Sequence, residues 1–228
     1  MQNTRRNLML AVGALSLTAG FATMPAHASD ADDAKALVQK AHTTINAFSH
    51  NKDFTGLGAE LRQSKGVLIF PQVLKAGFVL GGSGGTGVLL ANDGKGGWVG
   101  PAFYTMASAS FGFQAGASAA EMVILVRSQK ALDSLLTSKV KLGGDASVAI
   151  WKKGMGAGAT IDADFVAYST VKGAFAGLSI DGSVLDVRES LNTAFYGKPV
   201  TPADIVVKRD VSNPAAASLL AAVSKVAK

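Results

Sequence analysis

The chain has 228 residues, no cysteine, 26 glycines and 17% charged residues, against about 25% in an average domain. The missing Cys excludes disulfide scaffolds, thiolate metal sites and thiol nucleophiles, and three His leave little for imidazole chemistry. A 48% hydrophobic content excludes disorder, and a net charge of +6 falls short of a nucleic-acid-binding charge density.

Residues 1–28 carry the three parts of a secretory signal peptide: Arg5 and Arg6 with no acid, an apolar run over 8–23, and Ala26-His27-Ala28 as a small-x-small cleavage site. Thr4-Arg5-Arg6-Asn7-Leu8-Met9 also fits a twin-arginine signal. The run is short for a membrane span of ~20 residues. The sequence therefore predicts export to the periplasm, the cell envelope or the medium. The mature chain, 29–228, is expected to form one domain of net charge +4.

Ser29-Asp30-Ala31-Asp32 reads as a capping box, and apolar periodicity predicts a helix over 30–48. Ala34, Leu37, Val38, Ala41, Ile45 and Phe48 share an arc of roughly 100°. Lys35 and His42 flank one edge of it, and Lys40 lies beyond the other. Two placements follow. Either the arc docks on the protein's own core, or the helix lies on a membrane with Lys35, Lys40 and His42 at the head groups.

The run 66–70, stopped by Pro71, predicts a strand buried on both faces. A glycine-rich stretch from 76 leads to the Asn92-Asp93-Gly94 turn. Residues 96–120 carry no charge and predict long, closely packed strands. Glu121–Arg127 is a further strand. Ser128 caps a short helix through Ser138, with Ala131, Leu132, Leu135 and Leu136 on one face. Strands are predicted over 146–151, 163–170 and 174–181. A helix over Glu189–Tyr196 ends at Gly197. Thr201-Pro202-Ala203-Asp204 is a helix start. Asn213-Pro214 opens a last helix, docked by Leu219, Leu220, Val223 and Val226. The predicted fold is α+β: a curved, largely antiparallel, barrel-like sheet with packed N-terminal, central and C-terminal helices.

Gly82-Ser83-Gly84-Gly85-Thr86-Gly87 matches a dinucleotide fingerprint. No helix fits between Gly87 and the Asn92 turn, and no acid lies between Asp93 and Glu121. Gly82, Gly84, Gly85 and Gly87 are read as structural, and valine at Gly84 or Gly87 is expected to lower stability. His42 and His50 are too far apart on a helix to chelate. Asp162 and Asp164 share a strand face and, with Asp181 and Asp186, have the composition for acid–base work or a hard cation. Solvated strand-end carboxylates are the simpler reading. The sequence predicts no catalytic residues, no cofactor and no metal. Its basic clusters are Lys139 with Lys141, Trp151-Lys152-Lys153, and Lys208-Arg209. A Trp beside lysines is the composition of a membrane-interface contact. The candidate lipid-binding residues are Lys35, Lys40, His42, Lys139, Lys141, Trp151, Lys152 and Lys153.

Five ordered blocks carry a family resemblance: 65–90 (KGVLIFPQVLKAGFVLGGSGGTGVLL), 100–116 (GPAFYTMASASFGFQAG), 142–149 (LGGDASVA), 167–183 (AYSTVKGAFAGLSIDGS) and 192–198 (NTAFYGK). Together they resemble the SYLF domain family. The resemblance implies a non-enzymatic domain that binds phosphoinositides through an N-terminal amphipathic helix and basic residues, with some members acting in actin organisation. It places the helix at 30–48 in the lipid-binding position. The expected function is non-catalytic binding of anionic phospholipid at a membrane surface. Nucleic acid is not expected as a partner, and in an exported chain neither is actin. The competing readings are an outer-membrane β-barrel, or an envelope structural or adhesion protein that contacts a protein partner.

Overall fold

The apolar runs 66–70 and 122–126 pair with each other at the centre of one sheet, in β1 (Gly66–Gly77) and β4 (Gly116–Val126). The computed structural model describes residues 26–77, 80–111, 116–137, 139–151, 161–173 and 180–228. The other strands are β2 (Leu80–Asn92), β3 (Trp98–Phe111), β5 (Val140–Lys141), β6 (Val148–Ile150), β7 (Phe165–Gly173) and β8 (Val184–Val187). Their order is β5-β8-β3-β2-β1-β4-β7-β6, antiparallel throughout except for β6 on β7. The helices are α1 (Ala26–Ser49), α2 (Leu57–Gln63), α3 (Gln129–Thr137), α4 (Glu189–Tyr196) and α5 (Ala217–Val226).

Chain connectivity forces the sheet to curl. β5 and β6 are its two outermost strands, yet only residues 142–147 join them. Eight flat strands would hold those edges roughly 34 Å apart, at ~4.8 Å per step. The linker reaches at most about 25 Å when fully extended. Here it is folded back on itself by a Leu142–Ala146 bridge. The sheet is therefore rolled into a half-barrel, as the sequence predicted.

Both faces of the sheet are buried, which explains the uninterrupted apolar runs. Val67 and Ile69 of β1, with Val123 and Leu125 of β4, face α1, α4 and α5. Leu68 and Phe70, with Met122 and Ile124, face a second core that includes Ala131, Leu132 and Leu135 of α3. Each large apolar side chain so enclosed stabilises the fold by about 1.5–3 kcal/mol.

Pro71 does not stop β1. The strand continues to Gly77 through a β-bulge at 70–72, where Phe70 and Pro71 stand opposite Gly87 of β2. A bulge is one of the few places where a sheet tolerates the missing proline N–H. The bulge also sets which glycines matter. A Cβ on Gly87 would lie 2.5 Å from the Ile69 carbonyl and 2.6 Å from the Phe70 ring. On Gly85 it would collide with the Gln72 carbonyl. On Gly84 it would meet only the Met106 carbonyl, at 3.5 Å, an ordinary contact. Gly85, not Gly84, is thus the companion of Gly87. The fingerprint-like stretch lies wholly inside β2, which runs on to Asn92 with no helix after Gly87.

Several local signals hold. The Ser128 hydroxyl accepts from Ala131 N at 3.0 Å. Gly197 ends α4 in the left-handed region, at φ 72°. Asn213 caps Ala215 N at 2.9 Å. Thr201 and Asp204 bond reciprocally ahead of a short π-helical turn, Asp204–Lys208. Other boundaries shift. α1 begins at Ala26, so Ser29 lies inside it and is not its cap; alanines at 26, 28 and 31 are strong helix formers. The strand expected over 174–181 falls mostly on 174–179, outside the described residues, as does Ser138. Ile180 is a buried core residue outside any strand.

Candidate functional site

α1 carries Lys35, Lys40 and His42, and its docking decides what they can do. Ala34, Val38, Ala41 and Ile45 are fully buried and Phe48 nearly so, with Phe48 stacked on Phe54 at 4.9 Å. The apolar arc belongs to the core, so α1 presents its polar side to solvent. Of the two placements, the structure adopts the one in which the arc docks on the protein's own core. Lys35 is exposed and pairs with Asp32 at 3.5 Å. Lys40 is exposed. His42 is half-buried, its Nε2 3.1 Å from Asn46 Nδ2.

The Trp151 ring is not at a surface. It is buried, stacks on Tyr168 at 5.0 Å, and its Nε1 donates to the Asp53 carbonyl at 3.2 Å. As an interface anchor it is corrected to a core residue. An indole sitting where a strand ends can bury its ring and still satisfy its one donor. Lys152 and Lys153 lie outside the described residues. Lys139 is exposed and bonds Asp186 at 2.8 Å, a contact that raises its pKa. Lys141 is exposed on β5, at the edge of the sheet, whereas α1 packs over β1, β2 and β4. Among the described residues, the predicted set therefore does not form one patch.

Two clefts were not foreseen. The first, about 520 Å³, opens between α1 and the sheet. On the face under α1, β1, β4 and β7 form successive rows. Val67, Leu125 and Val166 give way to Ile69, Val123 and Tyr168, then to Gln72, Glu121 and Thr170. The third row is polar because the bulge sets Pro71 and Gln72 opposite Glu121. Thr44 and Thr170 donate to the two Glu121 carboxylate oxygens at 3.3 and 3.4 Å. Lys40, Gln39 and Thr43 of α1 complete the lining. The signal in the sequence was an acid two residues before the apolar alternation of Val123 and Leu125.

The second cleft, about 890 Å³, is lined by Arg62, Lys65, Lys228, Gln63, Gln129 and Asn92 among others. Its one acid, Asp93, accepts from the Lys95 and Gly97 amides at 2.7 and 2.8 Å, which lowers its pKa. Arg62 is spent on the last carbonyls of the chain, donating to Ala227 O at 2.8 Å and to Lys228 O. Lys65 and Lys228 supply the remaining positive charge. These residues come from four separate segments, so no local motif announced them.

The carboxylates considered for acid–base work are dispersed. Asp164 accepts from the Ser128 hydroxyl at 2.6 Å and the Ser147 hydroxyl at 2.9 Å, and these bonds lower its pKa, Ser128 foremost. It pins α3 and the β6 approach to β7. Asp186 is held by Lys139, and Asp162 is exposed. Among the described residues no three His, Asp or Glu side chains gather as a metal cage. Among them, too, no helix is long and apolar enough to cross a membrane.

One rolled antiparallel sheet, roofed by a helix with a polar outer side, defines an α+β domain that offers polar clefts. The chain belongs to the Ysc84 (SYLF) family, whose model, described as Las17-binding protein actin regulator, matches residues 107–226. Protein YSC84 of Saccharomyces cerevisiae is 36% identical over 167 residues, covering 70% of this chain and 36% of that protein. LAS seventeen-binding protein 3 of the same species is 35% identical over 162 residues, or 68% of this chain and 35% of the relative. SH3 domain-containing YSC84-like protein 1 of Bos taurus is 30% identical over 162 residues, 69% of this chain and 47% of the relative. The chain thus matches between about a third and a half of the length of these relatives. One of them, LAS seventeen-binding protein 3, is named for what it binds. The family description, with its words actin regulator, weighs against the expectation that actin is not a partner. No solved structure gives a significant match.

Proposed function

We propose that this chain is an exported, non-catalytic domain that binds anionic phospholipid at a membrane surface through the polar side of α1. The observation that carries the reading is the position of α1. Its apolar arc is consumed by the core, and Lys35 and Lys40 stand exposed on its two flanks, beside the exposed Asp32 and Asp33, with Lys35 paired to Asp32. Such a surface meets head groups electrostatically, each lysine adding about 1 kcal/mol near an anionic membrane. Lys65 and Lys228 at the second cleft are further cationic contacts on the same principle. The family resemblance supports lipid of the phosphoinositide type in kind, and the envelope would supply a different anionic lipid. Flotation of the purified protein with phosphatidylglycerol vesicles tests the reading: co-flotation supports it, and protein left at the bottom of the gradient rejects it. Intact-mass measurement of the exported product tests residues 1–28 as a signal peptide. A product starting at Ser29 is expected, and one retaining Met1–Ala28 would overturn that part.

A second reading rests on the family description itself. The domain would bind a protein partner of the kind named there, a Las17-type protein, and act as an actin regulator. Direct pull-down with purified actin and with a Las17-type protein tests it. Capture in the absence of vesicles would favour it.

A further inference from the structure

We propose that the cleft between α1 and the third row of the sheet is a zwitterion site that takes a phosphoethanolamine group, its ammonium on Glu121 and its phosphate toward Lys40. The cleft volume, about 520 Å³, lies in the ~300–1,000 Å³ range of small-molecule sites. Among the described residues its charged lining is one acid, Glu121, and one base, Lys40. A purely anionic ligand would meet the acid unfavourably, and a purely cationic one would meet the base. A ligand carrying both charges a few bonds apart satisfies each.

Glu121 is under-used in the fold. An ionised carboxylate offers about four acceptor positions. Here it takes two long hydroxyl bonds, from Thr44 at 3.3 Å and Thr170 at 3.4 Å, and among the described residues it makes no ion pair. It is half-buried at the floor of the cleft. An ammonium N–H donated to a partly desolvated carboxylate makes a charge-assisted bond about twice as strong as a neutral one. Gln39, Gln72 and Thr43 add amide and hydroxyl partners for the ester and hydroxyl oxygens of the ligand. The bulge that creates the site is the kind of irregularity that re-aims side chains beside binding sites. Because a primary ammonium donates and a quaternary one cannot, the site should separate ethanolamine from choline esters.

The group could arrive as a lipid head group or as a free ester, and the test separates the two. ¹⁵N-labelled protein is titrated with O-phosphoethanolamine and with O-phosphocholine, and floated with vesicles of phosphatidylcholine containing or lacking phosphatidylethanolamine. Saturable shifts of the Thr44 and Thr170 amides with the ethanolamine ester, and none with the choline ester, are expected. Flotation dependent on phosphatidylethanolamine, without response to the soluble ester, assigns the site to the lipid form and also supports the proposal. Glu121→Gln keeps one acceptor oxygen for a threonine and offers the other threonine hydroxyl an NH2 donor, but loses the charge. It should melt like the parent and bind roughly tenfold or more weakly. If it does not fold, Lys40→Ala, on an exposed position, replaces it: affinity for O-phosphoethanolamine should fall while affinity for ethanolamine stays. Binding by Glu121→Gln equal to the parent overturns the proposal. Equal response to choline, or none to any probe, does so as well. Phosphatidylglycerol flotation of Glu121→Gln is read alongside, because Lys40 serves both readings, so loss of the amine site is distinguishable from loss of anionic-lipid binding.

Discussion

The two ends of the central strands are built from different material. From Gly66 to Phe70, β1 is buried on both sides by Val, Leu, Ile and Phe, and β4 matches it from Met122 to Val126. Beyond the bulge the same strands turn to Gln72, Leu74 and Ala76, facing Gly84, Gly82, Ala119 and Ala117. Leu74 is 54% exposed there. One end of the sheet is a two-sided core and the other a small-residue extension with open surface. The polar row of Gln72, Glu121 and Thr170 marks the boundary. Stability should concentrate on one side of that line and recognition at it.

The largest effect expected from breaking this contrast is Trp151→Ala. Loss of a buried ring packed on Tyr168 should cost about 3–5 kcal/mol in denaturant unfolding. A variant of near-parental stability with weaker vesicle binding would instead return Trp151 to the membrane surface. Gly87→Val should come next, at about 1–3 kcal/mol, because the new side chain enters the Ile69 carbonyl and Phe70 ring at the bulge. Gly84→Val, three residues away in the extension, should cost well under about 1 kcal/mol. Equal melting temperatures for the two would erase the distinction.

Asp164 gives a pH-dependent effect. Its folded carboxyl is held below the ordinary value of 3.8, chiefly by the Ser128 hydroxyl. A lowered folded pKa stabilises fully above 3.8 and loses that contribution as pH falls through the folded value. Asp164→Asn should lower stability by about 1 kcal/mol at neutral pH and flatten the decline on the acid side below about pH 4. A parallel acid decline in both proteins would assign the titration elsewhere. The smallest effect should be Leu74→Ser, within about 0.5 kcal/mol, since its side chain is already largely in water.

What could be read from residues alone followed how local each cause was. Ser128, Gly197 and Asn213 are caps whose chemistry sits within three residues, and each stands where periodicity put it. The arc of α1 was legible, and the choice between its two placements was not, because docking depends on β1, β2 and β4. Pro71 misled because a proline at a bulge and a proline at a strand end look the same in one dimension. β5 and β8 are two and four residues long, too short for any periodic signal. Glu121 and the Lys65–Lys228 cleft are assembled across long sequence separations, which composition cannot foresee. Trp151-Lys152-Lys153 looked like an interface because of its composition, and burial of the ring overrode it.

The central claim is that lipid is held by charge on the outer side of α1 and not by insertion of its apolar arc. The direct measurement is flotation with phosphatidylglycerol vesicles for the parent and for Lys35→Glu with Lys40→Glu, at 0.1 M and 1 M salt. Screening shortens from ~10 Å to ~3 Å over that range. The account predicts parental binding that falls steeply with salt, and a folded double variant that binds weakly at both concentrations. Parent-like binding by the double variant at 0.1 M salt, with a native melting curve, would contradict it.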